Sequence, residues 1–373
     1  GWRWVFFINI PIGLAALAVV FLYLHLPAKH LKQKIDYWGA AAITLAIVPL
    51  LLVAEQGRTW GWTSTGAFLC YALGVVGIIA FLLAEKRAGD YALIPLRLFQ
   101  NMTFGLSSLL NFIIGVGMFG AIAMLPMYLQ LVKGLTPTEA GLMMITFTVG
   151  ILTGSITAGR TISASGTYRI FPILGTAVLT AAAVVMGLSL GVDTPLWVPG
   201  AIAVFFGLGL GFCMQPLTLA MQVSVPAKDM GVGTSSAAFF RSMGGAVGTA
   251  VFISMLFSLA ADKIGSGMKA AVQNADYLKV LKDPAVAADP ANAKLYEFFK
   301  NGASNDSLND TSWLHTANAS LTRPITEGFA QSIDAVMLTA AVLTGIAFLI
   351  SFALPNKKLT DPKAAAKESV AAH

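Results

Sequence analysis

Nine apolar runs, each long enough to cross a membrane as a helix, take up most of this 373-residue chain. By hydropathy they cover about residues 5–26, 37–55, 66–85, 104–131, 137–160, 169–191, 196–223, 236–260 and 332–354. A helix needs about 20 apolar residues to traverse the hydrocarbon core of a bilayer. Only 11% of the residues are charged and 56% are hydrophobic, with a mean hydropathy of +0.74. A soluble domain carries about 25% charged residues, so the chain reads as an all-α polytopic membrane protein. The 36 glycines fit that class, because small residues let helices approach closely in lipid.

The seven tryptophans (Trp2, Trp4, Trp38, Trp60, Trp62, Trp197 and Trp313) all fall at run ends or in connections. Such a placement reads as an aromatic belt at the membrane–water interface. Basic residues then give the orientation. One set of connections holds Lys29, Lys32, Lys34, Lys86, Arg87, Arg97, Arg160, Arg169, Lys228, Arg241 and the tail residues Lys357, Lys358, Lys363 and Lys367. The alternate short connections and the N-terminus hold only Arg3, Arg58 and Lys133. The positive-inside rule therefore predicts Gly1 outside and His373 in the cytoplasm. Gly1 is not an initiator Met and no signal-peptide pattern follows it, so the chain reads as the later part of a longer protein, or as a processed or truncated product. An outside start then implies an odd number of preceding spans if the full protein begins in the cytoplasm.

The net charge of +6 does not point to nucleic acid, since its basic residues are spread over membrane connections. Cys70 and Cys213 both lie in apolar runs, which argues against a disulfide or a metal site. The four histidines (His25, His30, His315 and His373) are dispersed and no paired-acid motif accompanies them, so neither an enzyme nor a cofactor is expected. Residues 262–331 form the extended polar segment, with eight acidic and seven basic residues. It reads as an external loop with short amphipathic helices near Met268–Leu281 and Ala293–Asn301. A solvated cap and a surface for an external partner are its two readings.

Several stretches carry a family resemblance. WRWVFFINIPIG opens the chain, followed by IDYWG at residues 35–39, WGW at 60–62 and LIPLRLFQNMTF at 93–104. LPMYLQLVKGLTPTEAGL at 125–142 is the most specific, then GFCMQPLTLAMQVSVP at 211–226 and FFRSMGGAVGTA at 239–250. The chain resembles the fourteen-helix drug:proton antiporter branch of the major facilitator superfamily. On that resemblance the first span is the family's sixth, so about nine of fourteen helices are present and five precede them. The odd number agrees with the charge bias.

The resemblance implies a partition. Residues 1–27 would close an N-terminal bundle, 28–100 would be an inserted two-helix linker, and 101–261 with 332–355 a C-terminal six-helix bundle. Residues 262–331 would be the external loop and 356–373 a cytoplasmic tail. It also implies proton-coupled export of amphipathic, often cationic, small molecules by alternating access, from a bacterial plasma membrane. Transport of another metabolite, and a non-transporting fragment or interaction partner, stay open beside it.

Polar groups within spans are the candidate site residues, because they are costly in lipid. Asn111 and Gln215 are candidates to line a substrate cavity, against an interhelical amide bond as the structural reading. Met118 and Met214 are candidates for a soft, adaptable wall, against ordinary packing. Arg241, at the start of the eighth predicted span, is a gating or coupling candidate, against snorkelling to the headgroups. None of the 18 carboxylates falls mid-span, so the proton-carrying acid is expected in the preceding helices, with Glu139 and Asp334 as fallback candidates. Gly207 and Gly211, and Gly244 and Gly248, have the spacing of close helix packing.

Overall fold

The computed structural model describes residues 3–23, 36–301 and 311–356. The lysines at 29–34, the tail lysines and the N-x-S/T triplets at Asn305 and Asn309 lie outside the described residues.

Two compact units divide the chain at Asp36. In the first, α1 (Arg3–Phe7) and α2 (Asn9–Tyr23) are separated at Ile8. The break has a chemical cause: Pro11 has no N–H to give the Phe7 carbonyl four residues earlier. No residue of α2 is buried, and a helix apolar all round belongs in lipid or under other helices.

The second unit holds α3 (Tyr37–Trp60), α4 (Thr65–Ala88), α5 (Met102–Met127), α6 (Pro137–Ser165), α7 (Ile170–Ser189), α8 (Trp197–Ser224), α9 (Met230–Ala271) and α13 (Ala319–Ser351). Among the described residues these eight are long and apolar enough to cross a membrane. Between α9 and α13 lie α10 (Ala275–Leu281), α11 (Pro284–Ala288) and α12 (Ala293–Asn301).

The helices α3 and α4 pair as a hairpin, and α3 also touches α9. The other six pack as two triplets, α5–α6–α7 and α8–α9–α13. Exchanging the triplets turns the α5–α9 contact into α8–α6 and the α5–α13 contact into α8–α7, while α5–α8 and α7–α13 map onto themselves. One strong contact, α9–α13, lacks an equally strong counterpart.

Helix ends follow local chemistry. Gly134 takes φ +70° in the α5–α6 turn, where a side chain would be strained. Thr136 then caps α6 in a capping box: its hydroxyl accepts from the Glu139 amide, and Glu139 Oε2 accepts from the Thr136 amide at 2.8 Å. Gly166, at φ +67°, closes the other end of α6.

Two spans differ from the sequence reading. The helix α9 has 42 residues rather than the 25 of run 236–260, and α13 begins at Ala319 rather than near 332. At 1.5 Å per residue, α9 is about 63 Å long, twice the ~30 Å hydrocarbon core, so it continues as helix outside the membrane. The polar segment consequently starts and ends inside helices.

That segment is also more than a solvated loop. Trp313 is buried against Phe298, with ring centroids 5.5 Å apart, so this tryptophan belongs to a small core and not to an interfacial belt. Buried Asn292 donates to the Val286 carbonyl at 2.9 Å and accepts from the Asn318 amide at 2.8 Å, tying α11 to the start of α13. Tyr277 donates to the Leu321 carbonyl, and burial pushes its phenol up to about 12.

Candidate functional site

Glycines bring α5 and α9 to backbone contact. A Cβ on Gly244 would stand 2.0 Å from the Phe112 carbonyl oxygen, one on Gly248 would stand 2.6 Å from that of Val116, and one on Gly115 would stand 2.2 Å from that of Arg241. This approach sets the Arg241 side chain beside α5. Its guanidinium donates to Asn111 Oδ1 at 3.4 Å. Asn111 is 1% exposed, and its Nδ2 donates to the Ser107 carbonyl at 2.9 Å and lies 3.6 Å from Met221 Sδ on α8. Three helices thus meet at one buried amide.

Arg241 is the twelfth residue of α9, not the head of a span, because the polar stretch Met230–Ser235 is already helical. Among the described residues Arg241 makes no ion pair, and its remaining guanidinium donors are free for water or for a ligand acceptor.

The other candidates are dispersed. Gln215 is exposed on α8 and makes no hydrogen bond among the described residues. Met118 and Met214 are half-buried. Gly207 and Gly211 face α6, where a Cβ would meet the Phe147 and Ile151 carbonyls at 2.1 and 2.5 Å. They therefore mirror Gly244 and Gly248 in the exchanged triplet. Glu139 is exposed and engaged in its capping box. Asp334 stands on α13.

A polar junction at the end of the bundle where α8 turns into α9 was not anticipated as a unit. Arg97, in the turn Leu96–Gln100, lies 3.0 Å from Asp229 Oδ2 and 3.1 Å from Oδ1. Asn101 donates to the Ser224 carbonyl at 2.7 Å. On α4, buried Glu85 accepts from the Ile94 amide at 3.1 Å. Ile94, Leu98, Phe104, Met221, Val225 and Ala237 form an apolar cluster beneath these bonds. Met221 belongs both to this cluster and to the Asn111 contact, so junction and amide are continuous. The missed signal was Asp229, an acid in the connection after α8, set against Arg97 in a connection far upstream.

A cavity of about 590 Å³ lies between α3, α5 and α9, lined by Glu55, Phe119, Ser242, Thr249 and Ser254 among others. Drug-sized ligands occupy pockets of about 300–1,000 Å³. Its α9 wall begins one residue after Arg241.

Residues 1–249 match the family described as Major Facilitator Superfamily. The chain belongs to this superfamily. It is 37% identical over 320 residues to the tetracycline resistance determinant of Streptomyces rimosus, covering 86% of this chain and 91% of that relative. It is 34% identical over 251 residues to the multidrug transporter protein MdtP of Bacillus subtilis, covering 66% of this chain and 45% of the relative. An uncharacterized MFS-type transporter of Mycobacterium tuberculosis is 30% identical over 363 residues, covering 96% and 48%. The chain spans about half the length of the latter two relatives. It is an integral membrane protein of a transporter family and not an enzyme, with the all-α major facilitator fold. The exchange of its helix triplets matches the nested three-helix inverted repeats of that fold.

Proposed function

We propose that this chain is the part, from the sixth helix on, of a fourteen-helix transporter that exports amphipathic, often cationic, compounds in exchange for protons. In this reading the N-terminus lies outside and the C-terminus in the cytoplasm of a bacterial plasma membrane. The helices preceding Arg3 complete the N-terminal bundle, and α3–α4 are the inserted pair. Substrate binds near the midplane between the halves. Relatives named for tetracycline resistance and multidrug transport support export of drug-like molecules.

The observation that carries the reading is the bond from half-buried Arg241 to buried Asn111 at the meeting of α5, α8 and α9. A guanidinium with unspent donors inside apolar helices is expensive unless it faces water or a ligand. It suits a site that recognises carbonyl and hydroxyl acceptors on a passing compound, while the cavity beside it supplies Phe119 and the Glu55 carboxylate to a cation.

Asn111→Ala and Arg241→Ala, made in the transporting protein, are expected to change the relative resistance to a panel of compounds. One lost hydrogen bond is worth about 0.5–1.5 kcal/mol, so shifts of about 2- to 10-fold are expected. An unchanged spectrum at unchanged expression would remove these residues from the site.

A further inference from the structure

Asp334 is the carboxylate on α13 that no structural role accounts for. It is the sixteenth residue of Ala319–Ser351, so it caps nothing; Asn318 caps that helix. By hydropathy it is the third residue of the run 332–354. The helix instead continues past it, and Oδ1 is enclosed without a hydrogen-bond partner. The Asp334 carbonyl lies 3.0 Å from where a Cβ on Gly187 would stand, so α7 and α13 are at backbone distance at this level.

Other carboxylates in the spanning helices and their turns are occupied or open to solvent. Asp229 is paired with Arg97, Glu85 accepts from Ile94, Glu139 closes a capping box, Glu327 is paired with Arg323, and Glu55 and Asp262 are exposed. Among the described residues, Asp334 alone combines an enclosed oxygen with neither an ion pair nor a hydrogen bond.

Its surroundings are nearly free of other charge. From α7 no titratable side chain faces it, because Ile170–Ser189 contains none. On α9 the contact of Ile264 with Gly328 puts Asp262 and Lys263 nearer the rim than Asp334, and both are exposed. The α10 pair Asp276–Lys279 is exposed, and Tyr277 donates to Leu321. Arg323, on its own helix, is held by Glu327 and Asp193. The helix α5 carries no titratable side chain; from the segment just after it the group within electrostatic reach is the Tyr128 phenol, which donates to the Gly191 carbonyl at 2.9 Å, and Lys133 lies over its ring and donates to the Val192 carbonyl.

Tyr128 starts a π-helical segment, Tyr128–Val132, that packs against α13. Such segments are rare and are found frequently at functional sites. Tyr128 and Gly187 both stand near the ends of their helices, at the rim opposite the α8–α9 turn.

We propose that Asp334 is the group through which protons from that rim enter the transport cycle. The carboxylate binds one proton from the medium to become the neutral acid, and releases the same proton on returning to the carboxylate. Loss of the charge alters how α13 seats against α7 and the π segment. The inference rests on the proton-driven reading above, with the rim as the external face.

The test is an infrared titration of the purified transporter, from acid to alkaline buffer, alongside uptake into proteoliposomes at varied external pH. A protonated-carboxyl band is expected that disappears in Asp334→Asn, returns displaced in Asp334→Glu and is unchanged in Glu327→Gln. Transport by Asp334→Asn is expected to lose its dependence on external pH while substrate still binds. A band spectrum unaffected by Asp334→Asn would overturn the proposal. If the band belongs to Asp334 but wild-type transport ignores the proton gradient, the proton-driven reading fails and the entry role falls with it.

Discussion

Replacing Gly244 with leucine is expected to leave almost no folded protein in a detergent extract. The first added carbon would stand 2.0 Å from the Phe112 carbonyl oxygen and 2.9 Å from its carbon, which are backbone atoms that no rotamer change can move. Only a displacement of α9 from α5 relieves the clash, and it also pulls apart the contacts of Gly115 and Gly248 and the Asn111–Arg241 bond. Overpacking typically costs about 1–3 kcal/mol; a whole-helix shift along three glycine contacts exceeds that range, against a total stability of about 5–15 kcal/mol. Gly141 and Gly159 of α6 are internal controls, since an added carbon there meets nothing within 4 Å. Alanine at either is expected to be neutral or stabilising, by up to about 1 kcal/mol from helix propensity. Thermal melting of purified variants checks both halves, and equal melting of Gly244→Leu and Gly159→Ala would contradict the packing account.

Arg97→Ala is expected to have the second-largest effect. It leaves the Asp229 carboxylate, whose side chain is 9% exposed, without its counter-ion at the α8–α9 turn. Removing one partner of a fully buried ion pair costs about 3–5 kcal/mol. The Arg97 side chain is 36% exposed, so solvent screening reduces this to about 2 kcal/mol. The pair joins the segment after α4 to the bundle, and its loss is expected to loosen the α3–α4 hairpin before the bundle itself. Faster hydrogen exchange at residues 94–101, with α6–α8 unchanged, would show this. The exchange variant Arg97→Asp with Asp229→Arg is expected to recover part of the loss. If it melts below both single variants, attraction between these two groups is not what holds the turn.

Hydropathy made the spanning helices legible because lipid exposure imposes long apolar runs on the sequence. It misplaced the ends of α9 and α13 for the same reason: it reports where a helix meets lipid, and Met230–Ser235 and Ala319–Gln331 are helical without being apolar. Arg241 and Asp334 consequently stand deeper in their helices than the apolar runs place them. Asn111 was legible as a polar residue in an apolar run. Its partner was not, because the α5–α9 approach that joins them depends on glycines 115, 244 and 248 meeting across 130 residues of sequence, and no local pattern encodes that. Trp313 shows the converse error, since a tryptophan between runs resembles an interfacial anchor until the helices of its own small core are in place.

The most direct test of the exporter reading is dye efflux from cells expressing the complete gene that encodes this chain, with and without a protonophore. The account predicts active efflux that the protonophore abolishes and that Arg241→Ala alters for some compounds more than others. Efflux that persists when the proton gradient is collapsed, or accumulation of dye equal to that of cells lacking the gene, would contradict it.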